Sequence, residues 1–466
     1  MSFIAPTRRR ILSNFLSLSS VEAISYLLPL ITIPYLVRIL GPGKYGLVSF
    51  AEAFAQYFRM FAAFSFALTA TRAISLARND QEELRRVYSN VLCTSSGLAA
   101  FSTIAAVVMV MTVPLLREHW LILLLSLCSV WGRAMFPDWF FLGMEKMGFA
   151  AWPNLLLRGV STILIFLIVR ARDDYFLVLL CPAAGWLVSD LYSLLVARFK
   201  FGMRLRAPDL KGIYHELGHG LPVFAGMMCA VLNVPSAVVV LGLFAEEKQV
   251  GYFAAPQKLV VAAMMLFRVF GQTVYPHVSR LATQDADRAI GFLGRAFGLL
   301  LVIGVGAMLV MQAASPLVVG LVFGSQFEAA VPVLRILSAM FVLFAMNDLF
   351  GTQAMLAFGA NRLYAWCTVI PSVLNFGLLF VIVPRFGIIG AATLLVSTSA
   401  LMLVLCLIGL YVWHRPVLVG MFRNSFGLLR GHGFGELGRS RRRAAGVGPL
   451  GEKACVSGDG SREDRQ

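Results

Sequence analysis

Acidic side chains are scarce in this sequence, with 24 aspartates and glutamates among 466 residues against 40 lysines and arginines. Charge of either sign makes up only 14% of the chain, where a soluble domain carries about 25%. Sustained over this length, the shortage excludes a soluble enzyme and a disordered chain. Cysteine is sparse too. The seven present form no C-x-x-C pair and six lie in apolar stretches, so they read as small buried hydrophobes and a disulfide-stapled secreted domain is excluded. The 41 glycines and 19 prolines show no G-X-Y period, which excludes a collagen-like chain.

What is abundant is apolar. Hydrophobic residues make up 59% and the mean hydropathy is +0.78, the signature of a polytopic membrane protein. The formal charge of +16 comes without any basic-aromatic nucleic-acid-binding module, so nucleic acid is not an expected partner. Membrane lipid is. A hydrocarbon core of about 30 Å takes about 20 apolar residues as helix. Twelve such stretches run roughly over 11–39, 45–70, 87–114, 119–142, 148–169, 174–197, 213–243, 249–275, 290–319, 329–357, 363–383 and 387–413. Short connections such as Gly41-Pro42-Gly43 and Pro384-Arg385-Phe386-Gly387 punctuate them, and Pro29 and Pro34 should bend the first span. The expected fold is all-α, with about twelve transmembrane helices in two six-helix lobes and a central cavity.

Loop charge orients the spans. With the N-terminus inside, sixteen basic residues fall in inside loops, among them Arg8-Arg9-Arg10, Arg85-Arg86 and five in the connection 198–212; seven fall outside. That asymmetry puts both termini in the cytoplasm. The basic start is not read as an export signal, because the apolar run is too long for one and no small-residue cleavage site follows. The divisions are 1–10 as a cytoplasmic N-terminus, 11–197 as the first lobe, 198–212 as a cytoplasmic linker, 213–414 as the second lobe, and 415–466 as a basic, disordered cytoplasmic tail with a short interfacial helix near 417–430. A faint repeat agrees: Tyr45-Gly46-Leu47-Val48 opens the second span and Val250-Gly251-Tyr252-Phe253 the eighth. Same-way-up halves imply a pseudo-two-fold axis along the membrane normal.

His215-Glu216-Leu217-Gly218-His219 fits H-E-x-x-H, the string of an intramembrane zinc protease. Pro222 stands where the extended motif wants glycine, no third-ligand string follows, and Gly218 and Gly220 weaken the helix. These residues read as polar groups at the cytoplasmic mouth of span seven, and no metal, cofactor or enzymatic activity is expected.

The charges inside the spans say more. Seven basic residues lie there, Arg59, Arg133, Arg158, Lys258, Arg268, Arg295 and Arg335, with fewer acids: Glu22, Glu52, Asp138, Asp190 and Asp348. Each costs about 2.5–3.5 kcal/mol at the bilayer centre, so each faces a bundle interior or a wet cavity. Arg133, Arg295 and Arg335 stand close enough to helix ends to snorkel; Arg59 and Arg158 do not. Glu52, Gln56 and Arg59 share one face of span two. Lys258 occupies the repeat-equivalent helix, with Arg268 about 15 Å further along it. The expectation is a cationic cavity between the halves, with Arg59, Arg158, Lys258 and Arg268 binding an anionic substrate and Glu22, Glu52 and Gln56 as polar or coupling groups. Guanidinium forks suit phosphate oxygens. The rival is structural pairing, of Glu52 with Arg59 and of Asp138 or Asp190 with Arg158.

The stretches Pro34-Tyr35-Leu36-Val37-Arg38-Ile39-Leu40-Gly41-Pro42, Asp138-Trp139-Phe140-Phe141-Leu142-Gly143-Met144-Glu145-Lys146-Met147, Val250-Gly251-Tyr252-Phe253, and Pro384-Arg385-Phe386-Gly387 stand in the order seen in Wzx-type polysaccharide flippases. Residues 11–414 resemble that branch of the multidrug/oligosaccharidyl-lipid/polysaccharide superfamily; the tail does not. The resemblance implies a twelve- to fourteen-helix transporter that moves an undecaprenyl-diphosphate-linked oligosaccharide to the outer leaflet of the bacterial cytoplasmic membrane, with polysaccharide polymerase and chain-length proteins as further partners. Related flippases use arginines on spans one, two and eight. Arg59 and Lys258 or Arg268 match two of these, and span one carries Glu22 instead. A drug or cation exporter of the same superfamily would want an acid-dominated cavity, and a glycan polymerase a large outer loop. Reporter fusions after Arg206 and after Lys248 are expected to report opposite sides of the membrane; the same side for both would overturn the twelve-span topology.

Overall fold

The computed structural model describes residues 5–146, 148–231 and 233–429; the side chains of residues 1–27, and of His215 and His219, lie outside the description. Helices account for nearly all of the described residues, which contain no strand. Seven helices among them are long and apolar enough to cross a membrane, from Gln81–Thr112 to Asn361–Arg423. Their outward faces are apolar. Val302, Val310, Leu317 and Leu321, spaced along one helical stretch, are all about two-thirds exposed, an arrangement that needs lipid rather than water around it.

The longest helices are folded back rather than straight. Ala5–Ala63 leaves helical geometry at Gly41 (φ 70°, ψ 175°), inside the Gly41-Pro42-Gly43 connection. Only glycine takes that backbone without strain, so the chain turns there from one helix into the next. Asn361–Leu429 breaks likewise at Gly387 (φ 54°) and again at His414. The stretch Trp120–Gly143 is built in three pieces, Trp120–Ser126, Cys128–Met135 and Asp138–Gly143. The last break falls at Phe136, extended because Pro137 follows it.

The two halves meet where the short sequence repeat lies. A Cβ on Gly46 would stand 2.0 Å from the Glu247 carbonyl oxygen and 2.7 Å from the Gly251 nitrogen; a Cβ on Gly251 would stand 2.0 Å from the Pro42 carbonyl oxygen. Glu247 precedes Gly251 by the same number of residues as Pro42 precedes Gly46. The contact is therefore reciprocal, as a pseudo-two-fold between the halves requires. Further ties surround it: Gln326 Nε2 donates to the carbonyls of Val37 (3.3 Å) and Arg38 (3.1 Å), and Arg38 donates to the Leu321 carbonyl.

The connection 198–212 is strapped to the start of Gln81–Thr112. Gln81 Nε2 donates to the Phe201 carbonyl (3.0 Å) and Arg85 Nε to that of Gly202 (3.1 Å). The Arg206 N–H donates to Ser89 Oγ (3.0 Å) and the Asp209 N–H to Asn90 Oδ1 (3.0 Å). Arg86 donates to Asp209 at 2.6 Å, and this bond holds the Asp209 carboxyl below the usual carboxylate range.

The glycine crossing is testable by contrast. Gly46→Ala and Gly251→Ala should each cost about 1–3 kcal/mol by overpacking. Gly97→Ala, where a Cβ meets nothing within 4 Å, should be neutral or gain up to about 1 kcal/mol. Thermal unfolding in detergent reads the difference.

Candidate functional site

A cavity of about 680 Å³ opens inside the first half of the chain, lined only by residues between Leu28 and Ser189. Sequence reasoning expected it between the halves. The halves press glycine to glycine at their contact, while the helix kinked at Gly41, the broken stretch Trp120–Gly143 and the helices Gly148–Ile168 and Leu177–Lys200, which carry Pro153 and Pro182, surround the space.

After Gly41 the first helix runs unbroken to Ala63, so Glu52, Gln56 and Arg59 fall on one face, and all three line the cavity. Arg59 Nη1 donates to Ser129 Oγ at 2.9 Å. Ser129 spends its own proton on the Ser126 carbonyl (2.6 Å), which leaves its oxygen to accept from the guanidinium. Arg59 is thus held by a neutral group, and Glu52 is not its ion-pair partner. Arg158, on the fifth-span helix Gly148–Ile168, stands on the wall with Asn154 one turn before it, and its Nε donates to Asn154 Oδ1 at 3.2 Å.

A third guanidinium joins them. Arg133 lines the same cavity and donates to Asp138 Oδ2 at 2.9 Å, and Asp138 Oδ1 accepts the Trp139 N–H (2.9 Å). The pairing expected of Asp138 with Arg158 is therefore with Arg133. Sequence reasoning left Arg133 aside as able to snorkel; the signal that finds it is the acid five residues on, across the helix break at Phe136-Pro137.

Lys258 is not on the cavity wall. Its Nζ bonds Glu52 Oε2 at 2.6 Å, lies 3.4 Å from Ser49 Oγ and sits 5.3 Å above the Tyr45 ring. The second half of the chain thereby neutralises the one carboxylate on the described wall. Arg268 is exposed, off the wall, and has Asp348 as its acidic neighbour. The Glu22 side chain lies outside the described residues. So do His215 and His219, while Glu216 borders a separate cleft with Glu83, Arg86 and Lys211. Among the described residues no group of three His, Cys, Asp or Glu is placed to hold a metal.

Residues 11–282 match the family described as polysaccharide biosynthesis protein. The chain belongs to this family. A relative assigned to O-antigen transport in Escherichia coli (strain K12) is 26% identical over 406 residues, 87% of this chain and 97% of that protein. A flippase assigned to low-salt glycan biosynthesis in Haloferax volcanii is 27% identical over 251 residues, 54% of this chain and 52% of its own. Among solved structures, the inward closed lipid II flippase MurJ superposes with a TM-score of 0.69 at 14% identity, covering 88% of this chain and 91% of that one. An inward-facing multidrug resistance transporter of the MATE family gives 0.66 at 14%, covering 86% and 99%. This family member therefore has the all-helical fold of those transporters and is a multi-pass membrane protein.

The Glu52–Lys258 bond predicts a double-mutant cycle. Glu52→Gln and Lys258→Met should each lower the melting temperature, because each strands the other charge. The double variant should recover most of the loss, with a coupling energy of about 0.5–3 kcal/mol.

Proposed function

We propose that this chain flips an undecaprenyl-diphosphate-linked oligosaccharide, a repeat unit of O-antigen, capsule or exopolysaccharide, from the inner to the outer leaflet of the bacterial cytoplasmic membrane by alternating access. It does so as a transporter rather than an enzyme, with twelve spans in two six-helix lobes and both termini cytoplasmic. Polysaccharide polymerase and chain-length proteins would act on the flipped product.

The observation that carries this reading is the wall of the cavity. Arg59, Arg133 and Arg158 face one space of about 680 Å³, and the single described carboxylate there is already bound by Lys258. A diphosphate cannot cross hydrocarbon bare, and fixed guanidinium groups replace the water it gives up. The volume suits the diphosphate and the first sugar units; a lipid tail needs only a lateral opening. Membership of the polysaccharide biosynthesis family and the relative assigned to O-antigen transport support the same substrate class. A drug-cation exporter would place acids where these arginines stand.

Complementation of a strain lacking its own flippase tests the assignment. Arg59→Ala and Arg158→Ala should abolish surface glycan at normal protein level, and Arg59→Lys should retain part of it. Because Glu52 is bonded to Lys258 and not to Arg59, Glu52→Gln combined with Arg59→Gln should not restore transport. Full transport by that double variant would remove Arg59 from the site.

A further inference from the structure

One buried acid beside the cavity is left without a partner. Asp190, on the sixth-span helix Leu177–Lys200, is 3% exposed. Neither of its carboxyl oxygens has a hydrogen-bond partner among the described residues, and the hydroxyls of Ser189 and Ser193 beside it on the same helix are buried without one as well. Ser189 stands on the cavity wall. A carboxylate stripped of water and given no donor does not stay ionised; it takes up a proton.

The charges that bear on Asp190 are Arg133 and Asp138. Arg133 is committed to Asp138 at 2.9 Å and at the same time lines the cavity. The other elements packed on this helix bring Arg158 from the fifth span and Glu52 and Arg59 from the first helix, all three on the cavity wall. Asp173 and Asp174 of the turn Arg172–Phe176 lie before the start of the helix, about 24 Å along the chain axis from Asp190.

We propose that Asp190 is a proton-binding site linked through Arg133 to anion binding in the cavity, so that a proton on Asp190 and a diphosphate headgroup in the cavity favour one another. The exchange balances simply. When Asp190 ionises, its proton leaves to cavity water and the carboxylate requires a donor; Arg133, on the helix Cys128–Met135 packed against this one, is the cation whose charge bears on it. Asp138 keeps the Trp139 N–H when Arg133 turns away. A diphosphate entering the cavity competes for the same guanidinium, and the carboxylate it strands takes a proton back. Linkage makes this reciprocal: protonation of Asp190 tightens anion binding by the same factor that the anion favours protonation.

The inference rests on the anion-binding reading of the cavity, and two measurements on the full-length protein in detergent keep the two apart. Infrared difference spectroscopy between wild type and Asp190→Asn should show the carbonyl stretch of a protonated carboxylic acid lost in the variant. That result needs no substrate, and its absence would overturn the proton site outright. Calorimetric titration with undecaprenyl diphosphate, in buffers of different ionisation enthalpy and at a pH high enough for the carbonyl band of the free protein to have titrated away, should show proton uptake on binding. Wild-type affinity should fall with rising pH by up to about tenfold per pH unit more than that of Asp190→Asn, because the variant mimics the protonated acid. Binding with the same pH dependence in both proteins would sink the linkage while leaving the flippase reading intact. A protonated Asp190 with no diphosphate binding in the wild type would instead refute the anion site, and the linkage with it. If Asp190→Asn fails to accumulate, wild-type proton uptake at that high pH alone decides: none on binding overturns the proposal.

Discussion

Holding a charge at the depth of a hydrocarbon layer costs several kcal/mol unless water or a partner is at hand, and the arrangement of this protein follows from that cost. Its lipid-facing surface is apolar turn after turn. Arg268 in the second half lies exposed, while in the first half Arg59, Arg133 and Arg158 converge on one cavity. Each has a specific support there: a serine for Arg59, an aspartate for Arg133, an asparagine one turn away for Arg158. The supports differ in charge, and that difference matters. Arg133 is cancelled by its partner, whereas Arg59 rests on a neutral hydroxyl, so the wall stays cationic on balance.

The close approach of two glycines governs how the halves share that charge. Gly46 and Gly251 allow the helices Ala5–Ala63 and Glu247–Gln284 to touch backbone to backbone. Glu52 lies six residues beyond Gly46, about 9 Å along its helix, and Lys258 seven beyond Gly251, about 10.5 Å along its own. Helices crossing at the glycines bring those two side chains together, and they bond at 2.6 Å. A side chain at either glycine would push the helices apart and separate the ion pair as well. The small repeat visible in the sequence is therefore a packing device that fixes an electrostatic one.

Much of this was legible beforehand. Hydropathy and loop punctuation marked the chain as an all-helical membrane protein, because apolar length and glycine-proline turns are local properties. The face formed by Glu52, Gln56 and Arg59 followed from helical spacing alone. The partners did not. Which acid meets which base depends on how helices from distant parts of the chain rotate about their axes, so Glu52 met Lys258 rather than Arg59, and Asp138 met Arg133 rather than Arg158. The place of the cavity was illegible for the same reason, since a void records where packing fails among several helices at once. Arg133 was hidden by a plausible local alternative, snorkelling, which only its contact with Asp138 removes.

Glu52 joins the two themes. On the cavity wall it is the acid nearest to Arg59, and its charge is cancelled only while Lys258 of the other half lies against it. Any motion that parts Gly46 from Gly251 must lengthen that bond. A freed carboxylate seven residues from Arg59 on the same helix face competes for the guanidinium from inside the cavity. An anion held there would meet a weaker field than when the halves are closed. The sign of the cavity and the contact between the halves are therefore not independent. The ion pair makes the charge on the cavity wall a function of how the two halves are placed.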